Sequence, residues 1–193
     1  MLSWDRNSER KINGPGWEFS QVADFSEFAS FDCDDEDLND FILNDAKPHK
    51  EFVIAETYAF KFVDDQGHPT APVAFASLSN DSIPLSSDRR DAYGLAEFGY
   101  KNFPAVKIGR LAVHRELQGA NIGTDILNLL KILFITNNRT GCRFIVVNAK
   151  NRPRTLRFYL KNDFQFLDEE KYKNKKAQFM FYDLLRFKDK DIM

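Results

Sequence analysis

The sequence predicts one mixed α/β domain, on three observations. Its patterning changes between a strand-like period of two and a helical step, in the order helix, hairpin, strand, helix, strand, helix, strand. Its hydrophobic content of 43%, with 19 phenylalanines, argues for a packed aromatic core. The run RFIVVNAK, 143–150, is nearly all apolar, as suits a central strand covered on both faces. A chain of 193 residues is long enough for one well-cored domain with an insertion.

Residues 1–18 read as a loose leader with a Gly-Pro-Gly turn at 14–16, and the domain as 19–193. FDCDDEDLNDFILNDAKPHK, 31–50, predicts a short amphipathic helix. Asp34 and Asp35 are available as N-caps, Leu38, Phe41, Ile42 and Ala46 share a face, and Pro48 is expected to stop it. In EFVIAETYAFKFV, 51–63, Phe52, Ile54, Tyr58, Phe60 and Phe62 predict a half-buried strand. The turn DDQGHP then leads to a second strand, TAPVAFASLSN, completing a hairpin. Residues 80–103 have no clean period and read as an irregular insertion. AVKIGRLAV, 105–113, is the next strand. Ile122, Ile126, Leu129, Leu130 and Leu133 then step as one helix face. After the 143–150 strand, Pro153 opens a helix with Leu156, Tyr159 and Leu160 on one side, and AQFMFYDLLRF, 177–187, closes as a strand.

Bulk properties exclude several classes. A net charge of -2 carries no global nucleic-acid or membrane signal. The charge is unevenly spread, however: residues 139–176 hold 11 Lys/Arg against 4 Asp/Glu, leaving 16 against 25 elsewhere. A basic C-terminal third on an acidic body suits an anionic cofactor or polymer, and equally a solvated face. Cys33 and Cys142 lie far apart without CxxC spacing, and His49, His68 and His114 are scattered, so no metal site is expected. The N-terminus lacks the apolar core of a signal peptide, and no run approaches the roughly 20 apolar residues that cross a bilayer. A cytoplasmic setting with no membrane contact is expected.

The chemistry concentrates in HRELQGANIGTDILNLLKILF, 114–134. A strand ending at Val113, then QGANIGT, then a helix is anion-binding architecture. The first helical turn leaves N–H groups unpaired, and the macrodipole adds positive potential there. Gly119, Asn121 and Gly123 let the backbone approach a phosphate without a Cβ clash. A Walker loop needs a lysine after its last glycine, but Gly123 is followed by Thr124 and Asp125. The GxGxxG dinucleotide spacing is also absent.

The remaining match is Q/R-x-x-G-x-G/A, and through it the chain resembles the GNAT acyltransferase superfamily. Gln118 takes the first position and Gly123 the last, with Asn121 where the family usually has glycine. A second block agrees, NAKNRPRTLRFYLKNDFQF at 148–166: Asn151 is its asparagine, Thr155 stands in its alanine position, Phe158-Tyr159 is its aromatic pair, and Asp163-Phe164 replaces Gly-Phe. The resemblance implies the GNAT fold, an α/β arrangement with a mixed, mostly antiparallel central sheet of six to seven strands flanked by helices.

It also implies acetyl-coenzyme A as acyl donor. The backbone of Leu111, Ala112 and Val113 would pair with the pantetheine arm. The loop Gln118, Gly119, Ala120, Asn121, Ile122, Gly123 and Thr124 would take the pyrophosphate, and Asn151 and Phe158 belong to the same cofactor site. Tyr159 matches the position of a general acid toward the coenzyme sulfur; a phenol, with a pKa near 10, is protonated at neutral pH. From pattern alone Tyr159 reads equally as a core aromatic. For a general base, Glu97 and His114 are candidates, and an amine deprotonated through water needs neither.

The acceptor expected first is a primary amine of a small molecule or protein. A narrower resemblance offers an alternative. FDCDDEDLNDFILNDA, 31–46, is similar to the F-x-C-G-x-x-x-L-x-x-[FW]-L-x-x-x-A opening of GNAT toxins that acetylate aminoacyl-tRNA. Phe31, Cys33, Leu38, Phe41 and Ala46 match, with Asp34 in place of glycine and Ile42 of leucine. The basic segment, including Arg152, Arg154 and Arg157, would then face tRNA. A coenzyme-binding module without catalysis is the third reading. A homodimer and an antitoxin partner stay open.

Overall fold

Strand pairing begins with the first residues that the computed structural model describes, which are 11–136 and 140–188. Lys11–Gly14 (β1) and Trp17–Gln21 (β2) form an antiparallel hairpin about the Gly-Pro-Gly turn, with Ile12 opposite Phe19. Lys11 Nζ meets Glu18 Oε2 at 2.6 Å across it. Residues 11–18 are thus paired strand and not the loose leader that their composition predicts. Residues 1–10, and Arg139 at the head of the basic run, lie outside the described residues.

Glu36–Asp40 (α1), a π turn over Phe41–Asp45 and Ala46–Glu51 (α2) follow one another without a break. Phe41, Ile42 and Ala46 are buried as the helical step predicts. Pro48 lies inside α2 instead of ending it. A proline lacks the N–H for the bond four residues back and crowds that carbonyl. The π turn just before it, where Ala46 N–H reaches back to Phe41 O, loosens the helix at that point. The helix therefore runs to Glu51, and Phe52 and Ile54 sit exposed in the turn after it, not in the next strand.

That strand, Glu56–Phe62 (β3), pairs antiparallel with Ala74–Pro84 (β4), so the predicted hairpin is present. All residues from Thr57 to Lys61 are buried, which corrects the half-buried reading: both faces of β3 are covered. The irregular stretch resolves into the end of β4, Ser87–Ala92 (α3), a 3-10 turn over Ala96–Phe98 and the start of Asn102–Val113 (β5). Ile122–Ile135 (α4), Phe144–Lys150 (β6) and Pro153–Lys161 (α5) follow as expected, except that Leu160 is exposed and Tyr159 buried. Gln165–Phe166 (β7), Glu169–Tyr172 (α6), Ala177–Asp183 (β8) and Leu185–Lys188 (α7) complete the described chain. The last strand ends at Asp183 because its carboxylate is committed there. It accepts from Leu185 N at 3.0 Å and takes both Nε and Nη2 of Arg143, at 2.7 and 2.9 Å.

The sheet has eight strands in the order β1-β2-β3-β4-β5-β6-β8-β7, one more than the upper expectation. The two strands of the terminal hairpin and the two-residue β7 are the three beyond the five strands that the sequence segments predict. β5 and β6 pair in parallel, across α4 in the chain, whereas β1–β2, β2–β3, β3–β4, β6–β8 and β7–β8 are antiparallel.

Two compact units are present, one of residues up to Leu78 with Arg110–Leu129, the other of Ser79–Gly109 with residues from Leu130 on. The first is centred on Phe28, Phe31, Phe41, Ile42 and Phe75. The second is centred on Ile83, Phe103, Phe144, Val146 and Phe181. Phe75 is fully buried, with ring centroids of Phe31, Phe28 and Phe41 at 5.4, 5.8 and 6.3 Å. Phe75→Ala should cost about 3–5 kcal/mol through lost transfer energy and the cavity left behind, read as a lower midpoint in denaturant unfolding.

Candidate functional site

β5 and β6 share a ladder only from Ala105↔Phe144 to Ile108↔Val147. Beyond it β6 continues against β8, through Lys150↔Ala177. β5 runs on to Val113, so its last residues have left the β6 ladder. Leu111 and Val113 are half-buried and Ala112 is buried.

Past Val113 the first unit builds a turn. His114 N–H bonds Val73 O at 2.8 Å, and Arg115–Leu117 make a 3-10 turn. Gln118 is extended, then Gly119 and Asn121 take left-handed φ of 93° and 64° before α4 starts. Gly119 fits because a side chain there would be strained, and asparagine is among the few residues that tolerate this region. Ala120 N–H bonds Leu117 O at 3.2 Å, while Thr124 and Asp125 N–H share Asn121 O at 2.8 and 3.0 Å. Of the six amides from Gly119 to Thr124, those of Ala120 and Thr124 are therefore spent inside the turn. The N–H groups of Gly119, Asn121, Ile122 and Gly123 have no partner among the described residues. They stand at the positive end of a 14-residue helix, an arrangement that attracts an anion.

Gln118 has a different task from the amides. Its Nε2 donates to Cys33 O at 2.9 Å and to Val113 O at 3.3 Å, tying the turn to the chain that leads into α1. His114 packs its ring edge-on to Phe31, centroids 5.9 Å apart, and its Nδ1 accepts from Glu116 N at 3.4 Å.

The second unit holds the other block. Asn151 N–H bonds Lys176 O at 2.9 Å, and its side-chain Nδ2 donates to Lys173 O and Lys175 O at 3.1 and 3.0 Å. That amide therefore anchors the turn before β8. Pro153 occupies the first helical position of α5, as its preset φ favours. Arg152, Arg154 and Arg157 are exposed at this end. Tyr159 lies one and a half turns on, buried between Phe158 and Phe164, with centroids at 5.1 and 5.2 Å. Its hydroxyl has no hydrogen-bond partner among the described residues. Burial raises its pKa well above the ordinary phenol value, so the proton is held throughout the neutral range. The helix then ends in a Schellman turn: Phe164 N–H bonds Tyr159 O at 3.0 Å, Asp163 N–H bonds Leu160 O at 3.1 Å, and Asp163 sits at φ 66°. Glu97 is exposed in the Ala96–Phe98 turn of this same unit.

The amides and Gln118 thus fall in one unit, Asn151, Phe158 and Tyr159 in the other. Asp32, Asn39 and Arg115, which bear on the turn as described below, escape sequence reading because they stand at positions that the spaced patterns leave unspecified. Among the described residues no cluster of His, Cys, Asp or Glu could hold a metal, and no helix is long and apolar enough to cross a membrane.

No protein-family model matches the chain. Solved structures do. A tyrosine-to-phenylalanine mutant of KacT is 22% identical with a TM-score of 0.72, covering 91% of this chain and 99% of that one. The AtaT toxin, again with tyrosine changed to phenylalanine and bound to the C-terminus of the antitoxin AtaR and acetyl-CoA, is 18% identical with a TM-score of 0.67, covering 89% and 96%. AtaT complexed with acetyl-methionyl-tRNAfMet is 20% identical with a TM-score of 0.68, covering 89% and 97%. The likeness establishes the fold, the GNAT-type α/β arrangement with a mixed, mostly antiparallel sheet.

Two outcomes follow from this geometry. Asn121→Gly and Asp163→Gly should each stabilise the protein by about 0.5–1 kcal/mol in denaturant unfolding, by removing a Cβ from a left-handed position. Because desolvation keeps Tyr159 protonated, the ionised-tyrosine absorbance of the native protein at pH 10 should be the same in Tyr159→Phe.

Proposed function

We propose that this chain is an acetyl-coenzyme A-dependent N-acetyltransferase of the GNAT toxin type, acting on the amino group of aminoacyl-tRNA. One observation carries the reading. At all three places where the acyltransferase and toxin patterns have glycine and this chain does not, Asp34, Asn121 and Asp163, the backbone is left-handed, at φ 60°, 64° and 66°. The patterns' glycines are there for that conformation, and this chain keeps it with the residues that best tolerate it. The acceptor order expected from sequence is thereby reversed: the tRNA alternative now stands ahead of a small amine or protein. The naming of AtaT with acetyl-methionyl-tRNAfMet supports the same order. A protein antitoxin, as AtaT has in AtaR, is the corresponding partner.

The residues fit the donor. The unpaired amides of Gly119, Asn121, Ile122 and Gly123 would hold the pyrophosphate, and the backbone of Leu111–Val113, past the β6 ladder, would pair with the pantetheine arm. Acetyl-coenzyme A supplies the activated carbonyl when bound. The acceptor nitrogen forms the new C–N bond as the C–S bond breaks, and the amine proton passes to water. Tyr159, protonated at neutral pH, gives its proton to the departing sulfur and regains one from water. Arg152, Arg154 and Arg157 would meet phosphates, whereas the outer side of α1, with Glu36, Asp37 and Asp40 exposed, repels them.

The test is thioester consumption with charged tRNA, peptides and small amines in parallel, expected to run with charged tRNA. Turnover with peptides or small amines alone would replace the acceptor, and coenzyme binding without any turnover would leave a binding module. In Tyr159→Phe, turnover should fall about a hundredfold to ten-thousandfold while coenzyme affinity stays. Gly119→Val, placing a β-branched residue at φ 93°, should weaken coenzyme binding in calorimetric titration. Replacing Arg152, Arg154 and Arg157 by glutamine should weaken tRNA binding and flatten its salt dependence.

A further inference from the structure

We infer that Asp32 and Asn39 are positioning residues for the coenzyme turn: they form a latch that holds Arg115 and Gln118, and so keeps the Gly119–Asn121 amides converged before a ligand arrives. The inference rests on the reading of that turn as the coenzyme site.

The latch is a closed set of bonds within the first unit. Asp32 holds Arg115 twice. Its main-chain oxygen accepts from Arg115 N at 2.8 Å, and its Oδ2 meets Arg115 Nη1 at 2.8 Å. The other carboxylate oxygen, Oδ1, accepts from Asp34 N at 3.0 Å and from Asn39 Nδ2 at 2.9 Å. Asn39 turns its own Oδ1 to Cys33, accepting from the backbone N–H at 3.0 Å and from Sγ at 3.1 Å. Cys33 O is left facing the turn and accepts from Gln118 Nε2 at 2.9 Å. The two sides of the Arg115–Leu117 turn are thus fastened to Asp32 and Cys33, and Asn39 braces both.

Asp34 shows why the backbone must be left-handed here: at φ 60° its N–H points back to the Asp32 carboxylate. Those two donors, the Asp34 N–H and the Asn39 amide, hold the Asp32 carboxyl below its usual pKa, so it stays charged wherever Arg115 needs it. A turn with two left-handed residues has little stability of its own, and ordering it on binding would cost affinity. None of the latch bonds uses the unpaired amides, so the latch bears on coenzyme affinity and not on the chemical step.

The experiment titrates coenzyme A calorimetrically, and varies acetyl-CoA in steady state, with the full chain and with Asp32→Ala, Arg115→Ala, the double variant and Arg115→Lys. The expected result is a rise of about threefold to tenfold in Kd and in KM for the coenzyme, with kcat kept within about twofold. The double variant should be no worse than Asp32→Ala, because that change already breaks the pair with Arg115, and Arg115→Lys should recover most of the loss seen in Arg115→Ala. Faster exchange of the hydrogen-bonded turn amides of Ala120, Thr124 and Asp125 in Asp32→Ala is expected as well, and it does not depend on turnover. Unchanged coenzyme affinity and exchange in folded Asp32→Ala and Arg115→Ala would overturn the latch while leaving the coenzyme site standing. A fall in kcat at constant KM would overturn it too. Failure of the unsubstituted protein to bind coenzyme A would remove the site reading and the latch with it.

Discussion

A helix cannot pair the N–H groups of its own first turn, and α4 begins where those groups are left over after a left-handed turn. The rest of the first unit is arranged around that constraint. β5 delivers the chain to the turn after leaving the β6 ladder, and His114 N–H ties its end to Val73 O. The aromatic cluster of Phe28, Phe31, Phe41 and Phe75 seats the segment before α1, from which Asp32 and Cys33 reach the turn. The apolar packing and the polar bonds therefore serve the same few backbone atoms. Weakening the cluster would loosen the turn without touching it.

The left-handed residues give the departures from pattern a common cause. Asp34 directs its N–H to Asp32, Asn121 opens α4, and Asp163 closes α5 in a Schellman turn. In each place the requirement is a backbone sign, and glycine, asparagine and aspartate all meet it at different cost. The fourth such residue among those described, Val53 at φ 58°, has no counterpart in the patterns and closes α2 in a Schellman turn of its own, Ile54 N–H bonding His49 O at 2.8 Å and Val53 N–H bonding Lys50 O at 3.0 Å.

Tyr159 shows that packing and chemistry are not alternatives. Its ring is a core element between Phe158 and Phe164, as a helix-face aromatic should be. The same enclosure raises the pKa of its hydroxyl, so the packing of the ring also keeps the phenol protonated.

The alternation of periods by itself determined the strands from β3 to β8 apart from β7, the helices α4 and α5, and the burial of Phe41, Ile42 and Ala46, because local burial imprints its period on the chain. The spacing of Gln118, Gly119, Asn121 and Gly123 between a strand and a helix likewise marked the left-handed turn ahead of α4, since its backbone demands are local. Other features were settled only by tertiary structure. Pro48 lies within a helix because a π turn relieves it, and β1 and β2 pair although their composition reads as a leader. Gln118 and Asn151 spend their amides on Cys33, Lys173 and Lys175, contacts between residues 22 to 85 positions apart that no local pattern encodes. Asp32 and Arg115, 83 positions apart, meet for the same reason: a hydrogen bond across that much chain exists only once the fold has brought its ends together.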